Sequence, residues 1–116
     1  MAFKFENLVI WQKAVDLSDS VNQLVKVFPK DELFILTSQI KRAADSVSLN
    51  IVEGSTGQTT PEFKRFLGIS LRSNLEVVGC MFLAKRRGYV NDSVFQSIYN
   101  KCEELLALIT ALRDSL

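Results

Sequence analysis

Large apolar side chains recur along most of the chain at steps of three and four, the spacing that lines one face of an α-helix. The first such stretch runs from about Leu8 to Phe28, with Ile10, Ala14, Leu17, Val21, Leu24 and Phe28 on one face. Pro29 ends it, because a proline ring cannot continue the hydrogen-bond ladder. The second carries Leu33, Leu36, Ile40, Ala43, Ala44, Val47 and Ile51 and stops at Gly54, the residue type best suited to a left-handed cap. Lys30, Asp31 and Glu32 precede it and place carboxylates near the positive end of its dipole. The third opens on Thr60, Pro61 and Glu62: a hydroxyl for an orphan amide, a ring with its torsion pre-set, and a carboxylate near the dipole. Phe63, Phe66, Leu67, Ser70, Leu71, Asn74, Val77, Val78 and Met81 then share a face as far as Gly88, a helix of about 40 Å at 1.5 Å per residue. Asn91 and Asp92 cap the fourth, in which Val94, Ile98, Cys102, Leu105, Ile109 and Leu112 repeat.

The links between these stretches are short, so consecutive helices must pack as antiparallel neighbours. The pattern predicts an all-α protein, a single domain over residues 1–116 folded as an antiparallel up-and-down four-helix bundle. Gly54 to Thr60, GSTGQTT, reads as a surface loop and lacks the lysine and spacing of a P-loop. With 116 residues and 47% hydrophobic content, the chain can build a core without metal or disulfides. Zero histidines remove the commonest general base and metal ligand, so neither a catalytic residue, a metal nor a cofactor is expected. Cys80 and Cys102 form no CxxC. The helical angle points Cys80 away from the core stripe, which argues against a disulfide. No apolar run approaches the eighteen or so residues that span a bilayer, and the first residues lack the apolar stretch of a signal peptide, so a cytoplasmic protein without a membrane partner is expected.

Apolar residues outside the core stripe need a separate explanation. On the second helix Phe34 and Val52 fall about 120° from Ile40, and Ile35 and Leu49 lie nearly opposite it. Ile69 and Leu83 on the third helix, and Val9 and Trp11 near the first, are also off the stripe. Singly such residues are ordinary surface, but their concentration on the two middle helices predicts a subunit interface in a homo-oligomer. Gln39, Arg42, Ser46, Asn50 and Glu53 form a polar stripe along the second helix. A solvated flank accounts for it, as does a hydrogen-bonded ladder within or between subunits in which Arg42 is the multiple donor and Glu53 an acceptor.

Overall charge is only +1, too balanced for a whole-molecule basic field, but it is unevenly spread. Residues 61–88 hold six basic and two acidic groups, and residues 91–116 two basic and four acidic. Lys64, Arg65, Arg72 and Arg86 fall within about 100° on the third helix, with Arg87 just beyond. They suit either a solvated face or a track for a phosphate backbone. Glu103 and Glu104, adjacent on the fourth helix, do not converge as an acid–base pair.

Four segments, FENLVIWQKAVDL, LTSQIKRAADSVSLNIVEGS, EFKRFLGIS and LAKRRGYV, together resemble the four-helix-bundle proteins encoded in 23S rRNA intervening sequences. The most specific part is Gln39, Arg42, Ala43, Ala44, Ser46, Asn50, Ile51, Glu53 and Gly54 in register. The chain is similar, more distantly, to the accessory variability protein of diversity-generating retroelements, which binds nucleic acid and a reverse transcriptase. The resemblance implies a homopentameric ring, no catalytic activity, and interface roles for Gln39, Arg42, Ser46, Asn50 and Glu53. The sequence departs from the family at Arg72 and Ser73, where many relatives carry a small residue, usually glycine, and the departure strengthens the basic face. The expected function is a non-enzymatic oligomeric adaptor whose third helix contacts RNA, DNA or a nucleoprotein. The alternative is a protein-binding scaffold without nucleic-acid contact; an enzyme built on Arg42 and Glu53 would need an enclosed pocket.

Overall fold

A computed structural model describes residues 2–116. Its four helices, α1 (Val9–Leu24), α2 (Leu36–Gly54), α3 (Thr60–Arg86) and α4 (Asp92–Ser115), form the antiparallel up-and-down bundle that the periodicity predicts. Each packs on its neighbour in sequence, and α4 closes the square against α1 in a body of 43 × 23 × 23 Å. One-turn helices precede α1 (Lys4–Asn7) and follow it (Val25–Val27), and a third (Lys30–Glu32) precedes α2. The core is the expected stripe from each helix, with Leu17, Ile40, Ile51, Leu67, Val77 and Ile109 fully buried, except that Leu33, which precedes α2, and Val94, in the first turn of α4, are exposed.

The ends of the helices differ from expectation in informative ways. The apolar stretch before Pro29 is α1 followed by a separate tight turn. Likewise α2 begins at Leu36, three residues after the first apolar position assigned to it. Phe34 and Ile35 therefore precede the helix and remain outside the core as exposed residues. Thr59, not Thr60, caps α3, its hydroxyl accepting from the Glu62 amide at 3.2 Å. Asn91 caps α4 as expected, accepting from the Val94 amide at 2.8 Å. Gly54 is not a left-handed cap: it is the last residue of α2. A Cβ there would stand 2.8 Å from Phe66 Cβ and 2.9 Å from Phe63 Cδ1, so its bare backbone is what lets α3 approach. The left-handed cap is Gly88 (φ 77°), where the Tyr89 amide donates to the Ala84 carbonyl and the Gly88 amide to that of Lys85.

Small side chains bring α2 and α3 together. Ala43, Ser46 and Val47 face Ser70 and Ser73, and the buried Ser70 hydroxyl donates to the Val47 carbonyl at 3.0 Å. The same packing corrects the expectation for Cys80, which is 3% exposed, because α3 is covered by α2 on one side and α4 on the other. Both cysteines are free thiols. Burial raises Cys80, with Glu76 adding to it, and burial pushes Cys102 up to about 12, so both stay protonated and unreactive. Contrary to expectation, an eighteen-residue window within α3 meets the length and apolarity of a membrane-crossing helix. Its apolar positions include those that α2 and α4 cover, and Arg72 and Glu76 lie mid-helix.

Candidate nucleic-acid interface

The first half of α3 places Lys64, Arg65 and Arg72 on its outer side, and α4 runs antiparallel beside it and ends at the same end of the bundle. Arg113, in the last turn of α4, reaches across. Its Nη1 lies 3.8 Å from where a Cβ on Gly68 would stand, an ordinary van der Waals contact, so the guanidinium lies over Gly68. Lys64, Arg65, Arg72 and Arg113 thus line one open cleft of about 680 Å³, floored by Gly68, Ile69 and Leu71. Among the described residues only Arg65 of these four has an ion-pair partner, Glu62 at 3.2 Å, and its guanidinium also lies 5.2 Å from the Phe66 ring centroid. Three cations around one cleft without a carboxylate partner make a local field that counterions or phosphates must satisfy.

The basic residues at the far end of α3 are disposed differently. Arg86 is exposed about 21 Å along the helix from Arg72, at 1.5 Å per residue. Lys85 bridges Asp92 at 3.3 Å and sits 4.6 Å above the Phe95 ring. Arg87 turns inward and donates to Glu32 Oε2 at 3.0 Å, and the Tyr89 hydroxyl donates to the same oxygen at 2.7 Å. Glu32 is only 8% exposed, and the Tyr89 ring stacks obliquely on Phe28, 5.5 Å between centroids. The hydrogen bond from Tyr89 outweighs burial and, with the Leu36 amide and Arg87, holds the Glu32 carboxyl below the ordinary carboxylate range. The same bond raises Tyr89.

The polar stripe of α2 borders α3. Gln39 donates to Glu76 at 3.2 Å, the Ser73 hydroxyl to Ser46 at 2.8 Å, and Asn50 to the Ser46 carbonyl and hydroxyl at 2.8 and 2.9 Å. This is a ladder within one chain. Arg42 borders the same shallow cleft, about 440 Å³, but among the described residues neither it nor Glu53 has a hydrogen-bonded or charged partner. The two therefore do not pair with each other.

The apolar residues assigned to an interface divide. Phe34 is 88% exposed, Ile35 is exposed just before α2 and Leu49 on its outer side, Leu83 is exposed on α3, and Ile69 is half-buried in the basic cleft. Sequence reasoning missed Leu75, 70% exposed, Phe82 and Leu106, which stand along the border of α3 and α4. There Leu71, Asn74, Leu75, Val78, Tyr99, Cys102, Glu103 and Leu106 enclose a groove of about 160 Å³. The steps from Leu71 to Leu75 and on to Phe82 give a helical signal beside the core stripe. Arg113 gives none, since only closure of the bundle brings it to α3. Among the described residues no three His, Cys, Asp or Glu side chains converge as a metal site.

The model of the 23S rRNA-intervening sequence protein family matches residues 6–111. Among solved structures, the chain is similar to a protein of unknown function from the S23 ribosomal protein family of Bacteroides thetaiotaomicron. The two are 24% identical, with a TM-score of 0.84, over 90% of this chain and 98% of the other. At that identity the likeness establishes the shared fold. No curated protein matches.

Proposed function

The chain belongs to the 23S rRNA-intervening sequence protein family, and we propose that this member is a non-enzymatic scaffold of the cytoplasm that self-associates and holds a nucleic-acid phosphate backbone. The observation that carries the reading is the cleft in which Lys64, Arg72 and Arg113 face solvent without a carboxylate partner among the described residues. Such a cluster repels itself in the free protein and gains by releasing the counterions of a polyanion. Arg86 extends the positive face along α3, whereas Arg87 serves the fold through Glu32.

Self-association rests on Phe34 and Ile35, exposed at the entry to α2, on Leu49 further along it, and on Leu83 of α3. Arg42 and Glu53, without partners among the described residues of one chain, belong to the same contact. Gln39, Ser46 and Asn50 shape the α2 border that it uses. Five copies, the number the family resemblance implies, would repeat the basic cleft around a ring and multiply weak contacts.

Two measurements test the reading. Titration of labelled RNA at low ionic strength should show binding that weakens steeply with salt; no binding at low salt contradicts it. Changing both Ile35 and Leu49 to glutamate should give monomers with helicity retained, and an unaltered native mass contradicts the interface. A protein partner that persists after nuclease treatment, in a chain that ignores RNA, would favour the protein-binding alternative.

A further inference from the structure

The basic cleft and the apolar groove share a wall. Leu71 lines both, with Arg72 next to it on the cleft side and Leu75 one turn further on the groove side. A phosphate seated among Lys64, Arg72 and Arg113 would therefore have its own base within reach of a surface built from Leu71, Leu75, Val78, Tyr99 and Leu106. Resting on the reading above, we infer that the α3–α4 border holds an unpaired nucleotide: its phosphate in the cleft, its base in the groove, within single-stranded rather than duplex nucleic acid.

Size and chemistry both fit. The groove measures about 160 Å³, and apolar cavities of about 150 Å³ accept a benzene-sized ring, which is also the size of a pyrimidine. Its walls are side chains that the fold leaves wet: Leu75 and Leu106 are exposed, and Tyr99 presents part of its ring, braced edge-on against Phe82 at 6.5 Å. Covering them with a base removes apolar surface from water, and an aromatic face supports stacking worth about 1–3 kcal/mol per base. At the rim Glu103 offers a carboxylate, and the wall includes the buried Asn74, whose Nδ2 is committed to the Cys102 carbonyl at 2.8 Å. The carboxylate is an acceptor, matched to the amino N–H groups on the Watson–Crick edge of an unpaired cytosine. In a duplex those groups are taken and the base is stacked away from reach.

The assignment is tested with a fluorescein-labelled, cytosine-rich RNA of mixed sequence and about ten nucleotides, the span of a typical single-strand site, alone and annealed to its complement. The single strand should bind at least roughly tenfold more tightly than the duplex at one salt concentration, a preference of the size one stacked base supplies. Leu75→Gln, a change at an exposed helical position, should abolish that preference and leave the salt dependence intact, because the phosphates are still held by the cleft. Equal binding of both forms, or a preference that survives Leu75→Gln, overturns the inference while the phosphate-binding reading stands. No binding of either form at low salt overturns both. A fall in native mass on Leu75→Gln with RNA binding unchanged assigns the groove to subunit contact and overturns it too. The deoxyribose strand of the same sequence tells whether the strand's sugar matters: equal affinity supports a site for base and phosphate in either polymer, and tighter RNA binding supports one restricted to RNA.

Discussion

Arginines stand on or beside both halves of α3, and their surroundings give them opposite work. Along the first half of α3, Arg72 and Lys64 share a cleft with Arg113 of α4, and among the described residues no carboxylate neutralises them. At the end where α3 stops, Arg87 is bound to a Glu32 that also holds the Tyr89 hydroxyl, tying the α1–α2 connection to the α3–α4 turn. A basic count along a helix does not separate the two. What separates them is whether the chain delivers an acid to the same place, and Glu32 arrives there only because the turn after Pro29 folds back over the bundle end.

The largest effect is expected from neutralising the open cleft. Replacing Lys64, Arg65, Arg72 and Arg113 by glutamine should weaken RNA binding at low salt by roughly a hundredfold. The melting temperature should hold or rise, since repulsion is relieved; a protein that unfolds instead would show the cleft to be structural. The same end is anchored by packing, so Gly54→Ala, which drives a Cβ into Phe66 and Phe63, should cost about 1–3 kcal/mol in urea unfolding. A neutral result would mean that α2 and α3 separate freely there. At the closed end, Arg87→Gln should lower the melting temperature by a few degrees while RNA affinity changes less than about twofold, the reverse of the cleft variant.

The smallest effect is on pH dependence. Glu32 titrates lower in the folded chain than in the unfolded one, so the unfolded state binds more protons as pH falls through the carboxylate range. The stabilisation that Glu32 contributes is complete above that range and is lost as pH drops through its lowered value. Glu32→Gln should therefore lower stability at neutral pH and flatten the acid limb of a stability–pH curve. An unchanged limb would show that the buried carboxyl is not the titrating group.

The bundle is legible in the sequence because every helix keeps its apolar residues at helical spacing, and Pro29, Gly88 and Asn91 punctuate it by local geometry alone. Less is legible where one helix meets two neighbours. Cys80 falls outside a single stripe drawn along α3, yet it is buried in the core, because α3 packs on both α2 and α4. Gly54 reads as a cap because glycine commonly is one, whereas its role is to yield space to Phe63 and Phe66. Of the basic face, Lys64, Arg65 and Arg72 are found by periodicity and do meet in one cleft. Periodicity also groups Arg87 with them, although a carboxylate fifty-five residues earlier claims it, and it passes over Arg113, which completes the cleft. Both discrepancies concern partners distant in sequence, which helical spacing does not encode.

Phosphates are proposed to be met by the cleft shared between α3 and α4, with Arg87 at the far end of α3 taking no part. The most direct measurement is the slope of log affinity against log salt for the wild-type chain, Arg113→Gln and Arg87→Gln. The account predicts that Arg113→Gln reduces the slope by about 1, because one phosphate fewer is neutralised, and that Arg87→Gln leaves it unchanged. A shallower slope for Arg87→Gln, or an unchanged one for Arg113→Gln, would contradict it.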